Sequence, residues 1–99
     1  MVTSEVCGDG QLKIGVSGRF DFRVYDAFRN AYAEVGESVK KYVIDLAGAD
    51  YMDSSALGML LLLREYAGGD NAEIHLVSPS AEVRNVLDIA NFGKLFTIN

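Results

Sequence analysis

Hydrophobic and polar residues alternate along the first part of the chain in the way that β-strands require. Val2–Cys7 and Gln11–Ser17 are two extended segments, and the second alternates apolar residues with polar or small ones. Its apolar residues are Leu12, Ile14 and Val16. Gly8-Asp9-Gly10 lies between the two segments and is typical of a tight turn. We therefore predict that the chain begins with a β-hairpin.

Helical spacing of apolar residues predicts a first helix from about Phe22 to Val35, with Gly36 placed to end it. Its apolar residues are Val24, Ala27, Phe28, Ala31 and Val35. A second helix, rich in leucine, is expected after Asp53, where an extended segment ends and the run Leu60–Leu63 follows.

A third helix is predicted after Ser78, which we expect to be its N-cap, with Pro79 at the first helical position and Gly93 breaking the helix. Its apolar stripe is Val83, Val86, Leu87 and Ala90. Three further strands are expected at Lys41–Leu46, at Ile74–Val77 and at Leu95–Ile98.

The predicted order of elements is ββαβαβαβ, and residues 1–99 contain no linker, repeat or low-complexity stretch. Alternating strands and helices indicate the α/β class: one domain over residues 1–99, with a mixed β-sheet and helices packed on at least one face.

Composition narrows the possible functions. The chain has 99 residues, of which 49% are hydrophobic and 23% charged, as in a globular domain. Its longest apolar run, Ala56–Leu63, is far shorter than the ~20 residues that span a bilayer, so we expect a cytoplasmic protein without direct membrane insertion. The net charge of −5, without a visible basic patch, predicts no nucleic-acid partner.

Two serines at the start of the leucine-rich helix are the main candidate for chemistry. The amides at a helix N-terminus are free, and the helix dipole favours negative charge there. A helix needs only one N-cap residue, which could be Asp53 or Ser54. Capping therefore does not account for both serine hydroxyls. We expect Ser54 to be the cap and Ser55 to present a free hydroxyl that can accept a phosphoryl group.

An apolar stripe lies below Ser55 on the same helix. At about 100° per residue, Met59, Leu62 and Tyr66 all fall within about 40° of Ser55. Burial under a neighbouring helix is one explanation of this stripe, and contact with a partner near Ser55 is the other.

Enzymatic alternatives have less support in the sequence. Ser55 and His75 could be written as nucleophile and base, but a Gly-x-Ser-x-Gly elbow is missing and His75 lies inside a predicted strand. Cys7 and His75 form no metal-ligand cluster, and neither Gly8-Asp9-Gly10 nor Gly68-Gly69 has the features of a phosphate-binding loop. We expect no catalysis, no metal and no cofactor.

Four segments together resemble the bacterial anti-sigma-factor antagonists, the STAS-domain family. They are Gly18-Arg19-Phe20-Asp21, Val43–Leu46, Tyr51–Gly58 and Pro79–Arg84, in the order and spacing of that family. The most specific is Asp53-Ser54-Ser55-Ala56-Leu57-Gly58, in which Ala56 stands where the family often has glycine.

The resemblance implies a protein that binds an anti-sigma factor or switch protein with a kinase-type fold. That partner phosphorylates the second serine, here Ser55, with Ser54 as the second choice, and a separate serine phosphatase removes the phosphate. Asp21 is expected either to cap the first helix or to border this site. The expected partner-binding residues are Asp21, Asp53, Ser54, Ser55, Ala56, Met59 and Leu62.

The output of such a bacterial switch is signal transduction, with transcription regulation as one form. A second hypothesis is a STAS subunit of a membrane transport complex, where the same fold is a non-catalytic interaction module that need not be phosphorylated.

Overall fold

A computed structural model describes residues 1–35 and 39–99. Gly36, which we predicted to end the first helix, lies outside these residues, but that helix already ends at Ala33 rather than at Val35. The strands of the main sheet are β1 (Val2–Cys7), β2 (Gln11–Val16), β4 (Lys41–Asp45), β6 (Ile74–Val77) and β7 (Thr97–Ile98). Two shorter strands are β3 (Gly18–Phe20) and β5 (Ala49–Met52). The α-helices are α1 (Tyr25–Ala33), α2 (Ser54–Tyr66) and α3 (Ala81–Ile89).

The main sheet has the order β1-β2-β4-β6-β7, so it is the mixed sheet that the sequence predicts. β1 and β2 form the expected antiparallel hairpin, with Asp9 and Gly10 at positive φ in its turn. The other neighbouring strands are parallel, in the register Leu12↔Tyr42, Tyr42↔Ile74 and Leu76↔Ile98.

Strands β3 and β5 form a second, two-stranded parallel sheet that the predicted order lacks. They have three and four residues, which is too short for alternation to be visible in the sequence. This small sheet matters because α2 follows β5 directly and a 3₁₀ turn, Phe22–Val24, leads from β3 into α1.

The start and end of α3 differ from the prediction. Ser80 caps α3, since its hydroxyl accepts the Val83 amide at 3.2 Å. Ser78 has a φ of 58° and is not the cap. The helix ends at Ile89, and Asn91, at a φ of 60°, turns the chain before Gly93 is reached.

The core lies between one face of the main sheet and the helices. On β2 and β4 every second side chain is buried, and these side chains pack in one cluster with Phe28 of α1, Leu60 of α2 and Leu87 of α3. The opposite face of the sheet carries half-buried or exposed residues such as Lys13, Val43 and His75. The helices therefore cover one face of the sheet.

None of the helices described here has the length and apolar character needed to cross a membrane.

Candidate functional site

The site is built where the two short parallel strands end. Phe20 of β3 pairs with Met52 of β5, so the next residues, Asp21 and Asp53, leave the sheet on neighbouring strands. Neighbouring strands lie about 4.8 Å apart, which places the two aspartates side by side. Each aspartate is an N-cap, Asp21 of the 3₁₀ turn before α1 and Asp53 of α2. The loop of Asp21 therefore does border the serine pair.

Asp53 holds both the helix start and the second serine. Its Oδ1 accepts the Ala56 amide at 3.2 Å and the Ser55 hydroxyl at 2.6 Å. Asp53 has extended backbone geometry, as an N-cap residue should. One carboxylate oxygen therefore both caps α2 and orients the hydroxyl of Ser55.

This geometry corrects the roles predicted for the two serines. Asp53 is the cap, and Ser54 is the first residue of α2 with an exposed side chain. Ser55 is half-buried, and its hydroxyl is hydrogen-bonded to Asp53 rather than free. The charge of an aspartate cap also interacts favourably with the positive end of the helix dipole.

Two arginines surround Asp21. Arg19 Nε and an Arg23 terminal nitrogen each lie 3.3 Å from Asp21 Oδ2, and the Arg23 amide donates to Oδ1 at 3.0 Å. The hydrogen bond from the Arg23 amide lowers the pKa of Asp21 below its ordinary value, desolvation opposes it, and the two guanidinium groups add to the lowering. Arg19 also stacks 4.0 Å from the centre of the Tyr51 ring.

The predicted stripe below Ser55 divides into a buried and an exposed part. Ala56 is fully buried and Met59 is only 4% exposed, so neither side chain can contact a partner in this conformation. Leu62 and Tyr66 are about half exposed, at 49% and 48%. Of the predicted apolar contacts, Leu62 is the one that remains on the surface.

A groove of about 280 Å³ separates α1 from α2 beside Leu62. Its main lining residues are Tyr25, Arg29, Tyr32, Leu62, Glu65 and Tyr66. The Tyr32 and Tyr66 rings lie 5.0 Å apart, and Phe22, which is 70% exposed, stacks on Tyr25 at 5.8 Å. Burial raises the pKa of Tyr32, and the Arg29 guanidinium opposes part of this rise.

Sequence reasoning missed this groove because it took the α1 stripe from aliphatic residues and Phe28. The spacing of Tyr25, Phe28 and Tyr32 at three and four residues is an aromatic stripe that could have indicated it.

His75 is not part of the site. Its side chain lies on the face of β6 opposite Ile74 and Leu76, as predicted, and its Nε2 is 3.0 Å from Glu73 Oε2. The hydroxyl of Ser55 bonds to Asp53 rather than to His75. Within residues 1–35 and 39–99, no three His, Cys, Asp or Glu side chains come together as metal ligands would.

Comparison with protein families decides the class of the domain. The family model described as Mlab, STAS domain matches residues 6–97. The chain belongs to the STAS-domain family. A STAS-domain containing protein of Pseudomonas aeruginosa (strain UCBPP-PA14) is 52% identical over 99 residues, covering 99% of this chain and 98% of that protein.

Solved structures share the fold of this STAS domain. An anti-sigma factor antagonist from Mycobacterium paratuberculosis matches with a TM-score of 0.83 and 24% identity, over 99% of this chain and 83% of that chain. The phosphorylated form of the Bacillus cell fate determinant SpoIIAA matches with a TM-score of 0.69 and 19% identity, over 100% of this chain and 91% of that chain. A sulfate transporter family protein from Wolinella succinogenes matches with a TM-score of 0.76 and 16% identity, over 94% of this chain and 80% of that chain. At these identities the structures establish the fold alone.

Proposed function

We propose that this STAS domain is a non-enzymatic partner switch, an anti-sigma-factor antagonist controlled by phosphorylation of Ser55. The observation that carries the proposal is the 2.6 Å hydrogen bond from the Ser55 hydroxyl to Asp53 Oδ1. It fixes a hydroxyl at the second residue of α2, where the helix dipole favours added negative charge. The fold that the chain shares with phosphorylated SpoIIAA supports it.

Asp53 makes Ser55 a better phosphoryl acceptor than Ser54. A hydroxyl that attacks a phosphoryl group must lose its proton, and the Asp53 carboxylate already accepts that proton in a hydrogen bond. Ser54 is more exposed but is not held by Asp53 in this way. The hydrogen bond to Asp53 favours phosphorylation of Ser55, whereas exposure alone would favour Ser54. Experiments must therefore test the two serines separately.

Phosphorylation changes the surface that a partner would meet. It adds about −1.5 to −2 charges to Ser55, next to the Asp53 carboxylate, and removes the proton that joins the two side chains. The amides of the first turn of α2 can donate hydrogen bonds to the phosphate oxygens, which offsets part of this charge. We therefore expect the fold to survive, while an interface fitted to the neutral hydroxyl is lost.

The proposed interface extends from the serines along exposed apolar side chains. Ser54 and Ser55 start it, Leu62 lies on the same side of α2, and Phe22 directly follows Asp21. Asp21, Ala56 and Met59 are buried and would support this surface from beneath. The proposed partner is an anti-sigma factor or switch-protein kinase in the bacterial cytoplasm, with a serine phosphatase that restores the neutral form. The domain itself would need no cofactor.

The test combines phosphopeptide mass spectrometry with binding. Protein isolated from its native cells should carry phosphate on Ser55. The Ser54→Ala variant should be phosphorylated to the same extent as the wild type. Ser55→Ala should retain the partner that co-purifies with the wild type, and Ser55→Asp should lose it. Equal binding by both Ser55 variants, or phosphate found on Ser54 alone, would show that the proposal is wrong.

A second candidate is a STAS subunit of a membrane transport complex. The fold shared with the sulfate transporter family protein favours it. In that case the partner that co-purifies would be a transporter subunit, and Ser55 would remain unmodified under all growth conditions.

A further inference from the structure

The two edges of the main sheet differ in length and protection. β7 has two residues, Thr97 and Ile98, and offers little backbone to another strand. β1 has six residues, and its register with β2 is unbroken from Val2↔Val16 to Cys7↔Gln11. It contains no proline or bulge and only one charged residue, Glu5. These are the properties of an edge open to pairing.

The hydrogen bonds of β1 show which of its backbone groups are unused by the hairpin. Met1 and Ser17 exchange two hydrogen bonds, each of 2.8 Å. In an antiparallel ladder such pairs alternate, so Thr3, Glu5 and Cys7 also bond to β2. The N–H and C=O groups of Val2, Ser4 and Val6 therefore point away from β2, and no strand among residues 1–35 and 39–99 pairs with them.

We propose that this edge pairs with β1 of a second copy of the chain, antiparallel, about a two-fold axis at Ser4. This places Val2 opposite Val6 of the second copy and Ser4 opposite its own equivalent. Because all three residues point outward, each of these pairs can exchange two backbone hydrogen bonds. The two main sheets then form one continuous sheet, without any change in the β1–β2 hairpin.

The side chains of β1 are self-complementary in this register. Val2, Ser4 and Val6 read the same in both directions, and Val6 is 67% exposed although it lies on the same face as the buried Leu12. Pairing brings this valine onto Val2 of the second copy. On the other face, Glu5 lies opposite Thr3, whose hydroxyl can donate to it.

Two neighbouring registers would also pair outward residues with outward residues. An axis at Glu5 places two carboxylates directly opposite each other, which is destabilising. An axis at Thr3 pairs Val2 with Ser4 and leaves Val6 outside these pairs, so its exposed side chain stays uncovered. A register shifted by one residue would pair backbone groups that point outward with groups already bonded to β2. It would also place Val6 on the opposite face of the combined sheet from Val2 of the second copy. The axis at Ser4 satisfies the backbone, the apolar residues and the charges together.

Sedimentation and amide hydrogen exchange, measured over a range of concentrations, test the proposal. The mass should rise from that of a monomer towards twice that value, and exchange should slow at the amides of Val2, Ser4 and Val6 in step with it. The amides of Thr3, Glu5 and Cys7 should be protected at every concentration. A monomer up to about 1 mM, or a dimer without the alternating protection, overturns the proposal.

Edge variants supply matched controls. Ser4→Pro removes an outward N–H that β2 does not use, so it should abolish dimerisation, whereas Ser4→Ala keeps that N–H and should dimerise like the wild type. Val6→Lys should also prevent dimerisation, by placing a charge on the edge. It keeps the proposal testable if Ser4→Pro fails to fold. Dimers of Val6→Lys overturn it.

Disulfide trapping distinguishes the registers. In a Cys7→Ser background, Ser4→Cys should cross-link with its equivalent under mild oxidation, since the Cα atoms of a hydrogen-bonded pair lie about 5.5 Å apart. Glu5→Cys should not, because in this register its equivalent lies diagonally, about 7–8 Å away. The reverse result overturns the Ser4 axis. Protection of the β1 amides only when another protein is added would also overturn it, because the occupant would then be a foreign strand.

Discussion

The Ser55 hydroxyl and the amide of Ala56 share one acceptor, Oδ1 of Asp53, at 2.6 Å and 3.2 Å. The start of α2 and the position of the proposed phosphoryl acceptor therefore depend on the same side chain. A change of charge at Ser55 is felt directly at the cap of the helix, and loss of the cap releases Ser55. This coupling is short-range and needs no movement of the sheet.

Removal of this cap should destabilise the domain. We expect Asp53→Ala to lower the free energy of unfolding by about 1 kcal/mol, because the Ala56 amide loses its acceptor. Ser54→Ala should change it by less than about 0.5 kcal/mol, since Ser54 is exposed and is not the cap. Urea unfolding followed by circular dichroism measures both. A larger loss for Ser54→Ala than for Asp53→Ala would contradict the assignment of the cap.

The burial of Met59 predicts a loss of stability rather than of partner binding. Met59→Ala should cost about 2–5 kcal/mol, because the side chain is 4% exposed and its truncation leaves a cavity in the core. Leu62→Ala is the matched control on the same side of α2, and at 49% exposure it should cost less than about 1 kcal/mol. The same unfolding experiment compares them, and similar costs would contradict the division of the stripe.

The α2 stripe shows how far the sequence can predict this site. Helical spacing correctly placed Met59 and Leu62 on the side of Ser55, because that angle depends on the helix alone. Which edge of the stripe faces the core depends on where α1 packs against α2, and this packing is not visible in the local sequence pattern of either helix. The sequence therefore predicted neither the burial of Met59 nor the groove beside Leu62.

The neighbourhood of Asp21 and Asp53 was harder to predict, because it depends on pairing between distant segments. The hairpin, the strands at Lys41 and Ile74 and the three helices have strong local patterns, and all of them are present. β3 and β5 are too short to show a pattern and are held by long-range packing, with Phe20 and Met52 both buried. The sequence offered a position of Asp21 near Ser55 only as an alternative to its role as a helix cap.

The lowered pKa of Asp21 predicts a specific pH dependence. A carboxylate whose folded pKa lies below its unfolded value stabilises the fold at pH values above the unfolded one, here near 3.8. This stabilisation is lost as the pH falls through the folded pKa. The difference in unfolding free energy between the wild type and Asp21→Asn should be constant above pH ~5 and shrink below pH ~3.8. Urea titrations at several pH values measure it, and a difference independent of pH would contradict the role of Asp21.

The two exposed leucines of α2 provide the sharpest test of where a partner binds. Leu62 lies on the side of Ser55 and lines the groove with α1, whereas Leu61 is 42% exposed and lies about 100° further round the helix. Both can carry a charge without burying it, so Leu62→Glu and Leu61→Glu should leave the fold and its melting temperature nearly unchanged. In a binding titration with the partner that co-purifies with the wild type, Leu62→Glu should weaken binding at least tenfold, because it places a charge in a desolvated apolar contact. Leu61→Glu should bind like the wild type. If Leu61→Glu weakened binding and Leu62→Glu did not, the interface would follow the side of α2 below Ser54, about 120° round the helix from Ser55, and the proposed interface through Leu62 would be wrong.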